Sequence, residues 1–209
     1  MELAAPAPER LDGTALTWSN AGLFLAGGAT AFVAHETCHV LAGLALGNVP
    51  TVQPVKFLGV IPFFAISPGI TCVGNACYKA NGTPFPPGPR GLYFIVSAGI
   101  LCQEAEDEVI LSLEPGIRYQ DAAFLKGMLA FNTLASVGYA LANLFNLEPP
   151  EGDLRAMSRL VPVPHAVLSG LVLATAALDI SRYYFPDAEW LPWVSRVTKL
   201  ATVGVIFAF

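Results

Sequence analysis

Residues 34–40 read Ala34-His35-Glu36-Thr37-Cys38-His39-Val40, an H-E-x-x-H set inside a run of small and apolar residues that extends over 23–46. That run decides the fold class. Its length suits one long helix, and a helix puts His35 and His39 one turn apart on the same face. Both imidazoles then reach a single metal ion, and Glu36 beside them can act on a water at that metal. The competing reading is two histidines and a glutamate satisfied by packed neighbours. It is the costlier one, because ionisable groups within an apolar helix are expensive and mark function.

The rest of the chain has the same character. Of 209 residues 54% are hydrophobic and 13% charged, against about 25% charged in an average soluble domain. The mean hydropathy is +0.56. This is the profile of an all-α polytopic membrane protein, with about five transmembrane helices and a small β-hairpin or re-entrant element after the first. A net charge of −5 and the lack of any Lys/Arg cluster exclude nucleic acid as a partner. The opening MELAAPAPERLDGT has no basic stretch of the kind that begins a secretion signal, and residues 1–15 read as a tail.

Working outward from the first helix (16–46), residues 51–75 contain Val52, Val55, Phe57, Val60, Phe63, Phe64 and Ile66, interrupted by Pro54, Pro62 and Pro68. Such a stretch reads as a β-hairpin or re-entrant element packed on helices, since open strand edges cannot face hydrocarbon. A second helix has a short apolar part, 92–102, followed by Gln103-Glu104-Ala105-Glu106-Asp107-Glu108. Four carboxylates cannot sit bare in lipid, so that helix is expected to end there, in the headgroup region. Further spans are expected at 122–145, 164–184 and 190–209, with Tyr183, Tyr184, Trp190 and Trp193 forming an aromatic belt in the last turn. His165 reads as an interfacial residue. Cys38 and Cys102 read as small buried side chains, whereas Cys72 and Cys77 are placed to pair if their loop meets an oxidising compartment.

A catalytic zinc site takes three protein ligands and keeps one position open. Alternating crossings put the C-terminal ends of the first and third long helices on one side of the bilayer, so residues 146–153 can meet the histidine pair. Glu104 and Glu108 fall at the other end.

These pieces resemble a known family. The H-E-x-x-H in an apolar helix, the later FNLEPPEGDLRAM (145–157), the stretch SAGILCQ (97–103) and the β-rich insert between them are similar to the site-two protease family of intramembrane zinc metalloproteases, over about residues 20–160. The resemblance implies one Zn2+ held by His35, His39 and Asp153, with Glu36 as general base. It also implies that Asn146 and Pro149 break the third helix, so that unwound backbone and the Asn146 amide hold an extended substrate. The family pattern N-x-x-P-x4-D-G is altered here. The interval from Pro149 to Asp153 is one residue shorter and Gly152 precedes the Asp, so Glu148, Glu151 and the Glu104/Glu108 group stay open as the third ligand. Ile100 and Gln103 stand where the family's middle-helix signature has Pro and Asn.

The implied function is hydrolysis of peptide bonds in membrane-embedded substrates. The partners are then a transmembrane segment of another protein, the lipid bilayer and any further subunits. The alternative is a non-catalytic membrane subunit or scaffold that keeps the fold and the metal, although a scaffold has no need of Glu36. The expected organisation is a tail (1–15), a metalloprotease-like core (16–160) and two additional C-terminal helices (161–209). Five basic residues on the site side (Lys56, Lys79, Arg90, Arg155, Arg159) against four on the other (Arg10, Arg118, Lys126, Arg182) lean the site toward the cytoplasm, with Cys72 and Cys77 then reduced.

Overall fold

The structure, a computed structural model, describes residues 10–57, 61–147 and 152–208. Among them the chain is mostly helical, with small two-stranded antiparallel hairpins beside the helices. In chain order the elements are β1 (Arg10–Leu11), β2 (Thr14–Ala15), α1 (Trp18–Ala45), β3 (Thr51–Phe57), β4 (Ile61–Ser67), β5 (Ile70–Val73), β6 (Ala76–Lys79), α2 (Gly88–Leu113), α3 (Ala123–Leu144), α4 (Asp153–Leu160), α5 (His165–Tyr184) and α6 (Trp190–Ala208).

α1 starts at Thr17, whose hydroxyl accepts the Asn20 N–H at 3.1 Å, a cap for an otherwise orphaned donor. Its buried residues recur in steps of four, Gly27, Ala31, His35 and His39, which makes one inward stripe. Leu25, Val33, Leu41 and Leu44 point outward and are exposed. The stripe meets α3 at close range. A Cβ on Gly27 would lie 1.9 Å from the Phe124 carbonyl oxygen, and one on Gly127 2.0 Å from that of Phe24. The two backbones touch because neither glycine has a side chain to hold them apart.

The hairpin expected after the first helix is present. β3 and β4 pair with Val52 opposite Ile66, and the Phe64 ring packs edge-on against Phe32 of α1 at 5.2 Å. A second hairpin, β5–β6, follows, and the Asn48 amide ties the end of α1 to the Pro68 carbonyl at 2.8 Å.

Four expectations are corrected. First, α2 does not end at 103–108 but runs unbroken to Leu113. Among its carboxylates Glu108 is met by cations from other helices, and Glu106 and Asp107 by the Asn132 amide of α3. Glu108 pairs with Arg182 of α5 and, at 2.8 Å, with Arg196 of α6. Lys199 of α6 bonds Asp179 of α5 at 2.8 Å. Second, Cys38 and Cys102 are not separate buried side chains but form a disulfide between α1 and α2. Third, Cys72 and Cys77, facing residues of β5 and β6, are also bonded, so the reduced state expected of them is not the one observed. Fourth, residues 10–15 are a fixed hairpin rather than a loose tail. The Lys126 ammonium donates to the Thr14 hydroxyl and to the Arg118 and Gln120 carbonyls, each at 2.9 Å, and to the Asp12 carbonyl.

Among the described residues one helix, α5, is long and apolar enough by composition to cross a membrane. His35, Glu36 and His39 dilute the apolar run of α1, the carboxylates that of α2, and Lys126, Asn132 and Asn143 that of α3. Helix composition alone therefore does not establish a multi-pass topology.

Three stability outcomes follow. Gly27→Ala drives a methyl into backbone and is expected to destabilise by about 2–3 kcal/mol. Gly22→Ala meets nothing within 4 Å and is expected to stabilise by up to about 1 kcal/mol; chemical unfolding reads both. Arg182→Ala, which removes one cation from Asp179 and Glu108 but leaves them Lys199 and Arg196, is expected to cost about 2 kcal/mol in the same measurement.

Candidate metal centre

The helical spacing expected from the sequence places the two histidines together. His35 and His39 are 2% and 3% exposed, with their Nε2 atoms 3.2 Å apart. His39 Nδ1 donates to the Ile95 carbonyl of α2 at 2.7 Å. That bond fixes the tautomer, so Nε2 presents its lone pair to the centre, as a metal-binding histidine requires. The His35 ring stacks on Tyr139 of α3 at 5.9 Å.

Asp153 arrives from a different part of the chain. It is the first residue of α4, and the next residue, Leu154, together with Met157, is wholly buried in the main core against α2. Those two anchors hold the start of α4 beside α1. Asp153 Oδ2 stands 3.0 Å from His35 Nε2 and 3.3 Å from His39 Nε2. Burial alone raises the Asp153 carboxyl, yet the imidazoles of His39 and His35 hold it well below the usual carboxylate range.

The donor set fits zinc. Two imidazole nitrogens and one carboxylate oxygen are a complete catalytic ligand set. Bonds of about 2.0–2.1 Å at tetrahedral angles put ligand atoms about 3.3 Å apart, close to the three separations observed. Two nitrogens and an oxygen converging so closely need something positive between them, a proton or a metal ion. Space is left for it by Gly99 of α2, since a Cβ there would lie 2.4 Å from His39 Nε2 and 2.5 Å from His35 Nε2. Among the described residues this is the one group of three His, Cys, Asp or Glu side chains whose ligand atoms lie within 4.8 Å of one another.

Glu36 adjoins this centre, and its Oε2 accepts the Ile66 N–H of β4 at 3.2 Å. Glu104 and Glu108, the more distant candidates for third ligand, are not part of the group, and Glu108 is taken up by Arg182 and Arg196. Asn146 does end α3. It takes the left-handed conformation at φ 56°, and Leu147 N–H closes onto the Ala142 carbonyl at 2.7 Å, a helix-terminating turn that Asn tolerates. Its side-chain oxygen accepts from Arg155 Nη1 at 3.2 Å. Pro149, Glu148 and Glu151 lie outside the described residues.

Three contributors escaped the sequence reading: Gly99, the Ile95 carbonyl and Tyr139. Gly99 sits in SAGILCQ, where two small residues in a helix hint at close approach but do not name the neighbour. A main-chain carbonyl leaves no mark in a sequence. No family model, curated protein or solved structure matches the chain.

Gly99→Ala is expected to lower zinc affinity at least about tenfold while leaving helix content unchanged; metal titration and circular dichroism test the two halves.

Proposed function

We propose that the chain is a multi-pass intramembrane zinc metallopeptidase of the site-two protease type. The observation that carries this reading is the convergence of Asp153 on the H-E-x-x-H pair, with Oδ2 at 3.0 and 3.3 Å from the two Nε2 atoms, across 118 residues of sequence.

A bilayer setting is supported by inverted polarity. Leu25, Leu134, Trp193 and Leu200 are exposed while Lys126, Asn132, Asn143, Asp179, Arg182 and Lys199 are buried. Water favours the opposite arrangement, and hydrocarbon favours this one. The two disulfides weigh against a reducing compartment on the site side.

His35, His39 and Asp153 would hold the metal. Bound there, zinc supplies Lewis acidity to a water and to the scissile carbonyl. Glu36 takes the proton from the attacking water and returns it to the leaving amine. The Ile66 N–H orients that carboxylate through Oε2 and leaves Oε1 for proton transfer. Ile95 holds His39 in its coordinating tautomer. A substrate for such a centre presents extended backbone, so a transmembrane helix loosened by Gly, Pro or Asn is the fitting class. The other reading, a metal-holding scaffold, gives Glu36 only the structural bond to Ile66.

The two are separated by zinc content and cleavage measured on one set of variants. The native protein is expected to hold about one zinc per chain, lost in His35→Ala and Asp153→Ala and kept in Glu36→Gln. Cleavage of a helix-destabilised transmembrane substrate is expected to fall on the order of 10²–10⁴-fold in Glu36→Gln. Native protein without zinc would refute the metal centre. Cleavage unaffected by Glu36→Gln would refute its role as base.

A further inference from the structure

Cys38 lies inside the H-E-x-x-H, between Glu36 and His39, and its disulfide partner Cys102 is on α2. Cys102 follows Gly99 by three residues, so the two share a face of α2, and Gly99 is the residue pressed against both imidazoles. The bond therefore joins the two helices at the level of the metal centre. Apart from packing, the link between α1 and α2 at this level is the hydrogen bond from His39 Nδ1 to the Ile95 carbonyl. Neither cysteine is fully buried within the protein.

We propose that Cys38 and Cys102 are a thiol–disulfide exchange site that sets the zinc affinity of the neighbouring centre, high when the pair is oxidised and lower when it is reduced. This rests on the metal reading above. The oxidant is a low-molecular-weight disulfide, glutathione disulfide being the type. The thiolate of one cysteine attacks it, forms a mixed disulfide and expels one thiol. The second cysteine attacks the protein sulfur of that mixed disulfide, forms the Cys38–Cys102 bond and expels the second thiol. Two electrons pass to the small disulfide, and the two cysteine protons end on the released thiols. Reduction runs the exchange in reverse.

The physical basis is preorganisation. With the bond in place, α2 keeps the Ile95 carbonyl against His39 and keeps the glycine gap at its observed width. Without it, α1 and α2 can shift apart, and the histidine pair loses the partner that orients it. Losing such an outer-shell restraint weakens metal binding by about tenfold or more.

The test uses the full-length protein carrying Cys72→Ser and Cys77→Ser, so that one pair remains. Zinc affinity is measured by chelator competition after treatment with glutathione disulfide or with a phosphine reductant, and free thiols are counted by alkylation and intact mass. No free thiols and tight zinc are expected in the oxidised arm, and two thiols with about tenfold weaker zinc in the reduced arm. Cys102→Ser, checked for native helix content, is expected to show the weaker affinity in both arms. Equal affinities in the two arms, or two free thiols after oxidation, overturn the proposal. Zinc in neither arm overturns the metal centre beneath it, a separate failure.

Discussion

The structure depends on one constraint: three acceptor atoms, from His35, His39 and Asp153, are brought together where water does not solvate them. Each feature around the centre serves that convergence. Gly99 removes the atoms that would occupy the gap. The Ile95 carbonyl takes the other nitrogen of His39, so that the lone pair faces inward. Leu154 and Met157 bury α4 firmly enough to keep a carboxylate beside two imidazoles. Such a cluster is unfavourable without a positive charge, which a proton or a metal ion supplies. The fold assembles the cluster from α1 and α4, and Gly99 of α2 leaves space beside it.

α2 is the axis of the molecule. It touches the histidine pair through Ile95 and Gly99, and within the next nine residues, about 14 Å of helix, it carries Glu104, Asp107 and Glu108 to a second polar region. There Arg182, Arg196, Lys199 and Asp179 from α5 and α6 complete an ionic network, while Asn132 of α3 donates to Asp107 at 2.9 Å. Buried ion pairs contribute little net stability, yet losing one partner leaves a costly charge. Such a network therefore fixes how α5 and α6 sit on the core more than it strengthens the whole. The two C-terminal helices, lying outside the motif-bearing stretch, are bound to it by this charge network and by Leu168 and Val172 of α5 buried in the main core.

Where sequence reading succeeded, the information was local. The four-residue step from His35 to His39 follows from helix periodicity, and the β-formers at 51–67 are dense enough to override Pro54 and Pro62 by pairing as a hairpin. Where it failed, the missing information was distant. A run of carboxylates reads as a helix end only when their counter-ions, 70 to 90 residues later, are not known. Cys38 and Cys102 read as separate small residues because 64 positions divide them. The apolar stretches of α1 and α3 are long, but the polar residues they bury lower their hydropathy, and α5 alone among the described helices passes as a candidate span.

By itself, the sequence determined the helical character of the chain, the position of its hairpin and the placing of His35, Glu36 and His39 together on one helix, because periodicity and motif spacing act over a few residues. It narrowed the third member of the candidate site to a handful of carboxylates. Only the tertiary structure decided among those it describes, bringing Asp153 to the histidines and carrying Glu104 and Glu108 to another part of the fold. It alone revealed that a glycine opens the space between them and that a disulfide fastens the two helices there. Those are facts of packing between segments far apart in the chain, and packing is set by all the elements at once.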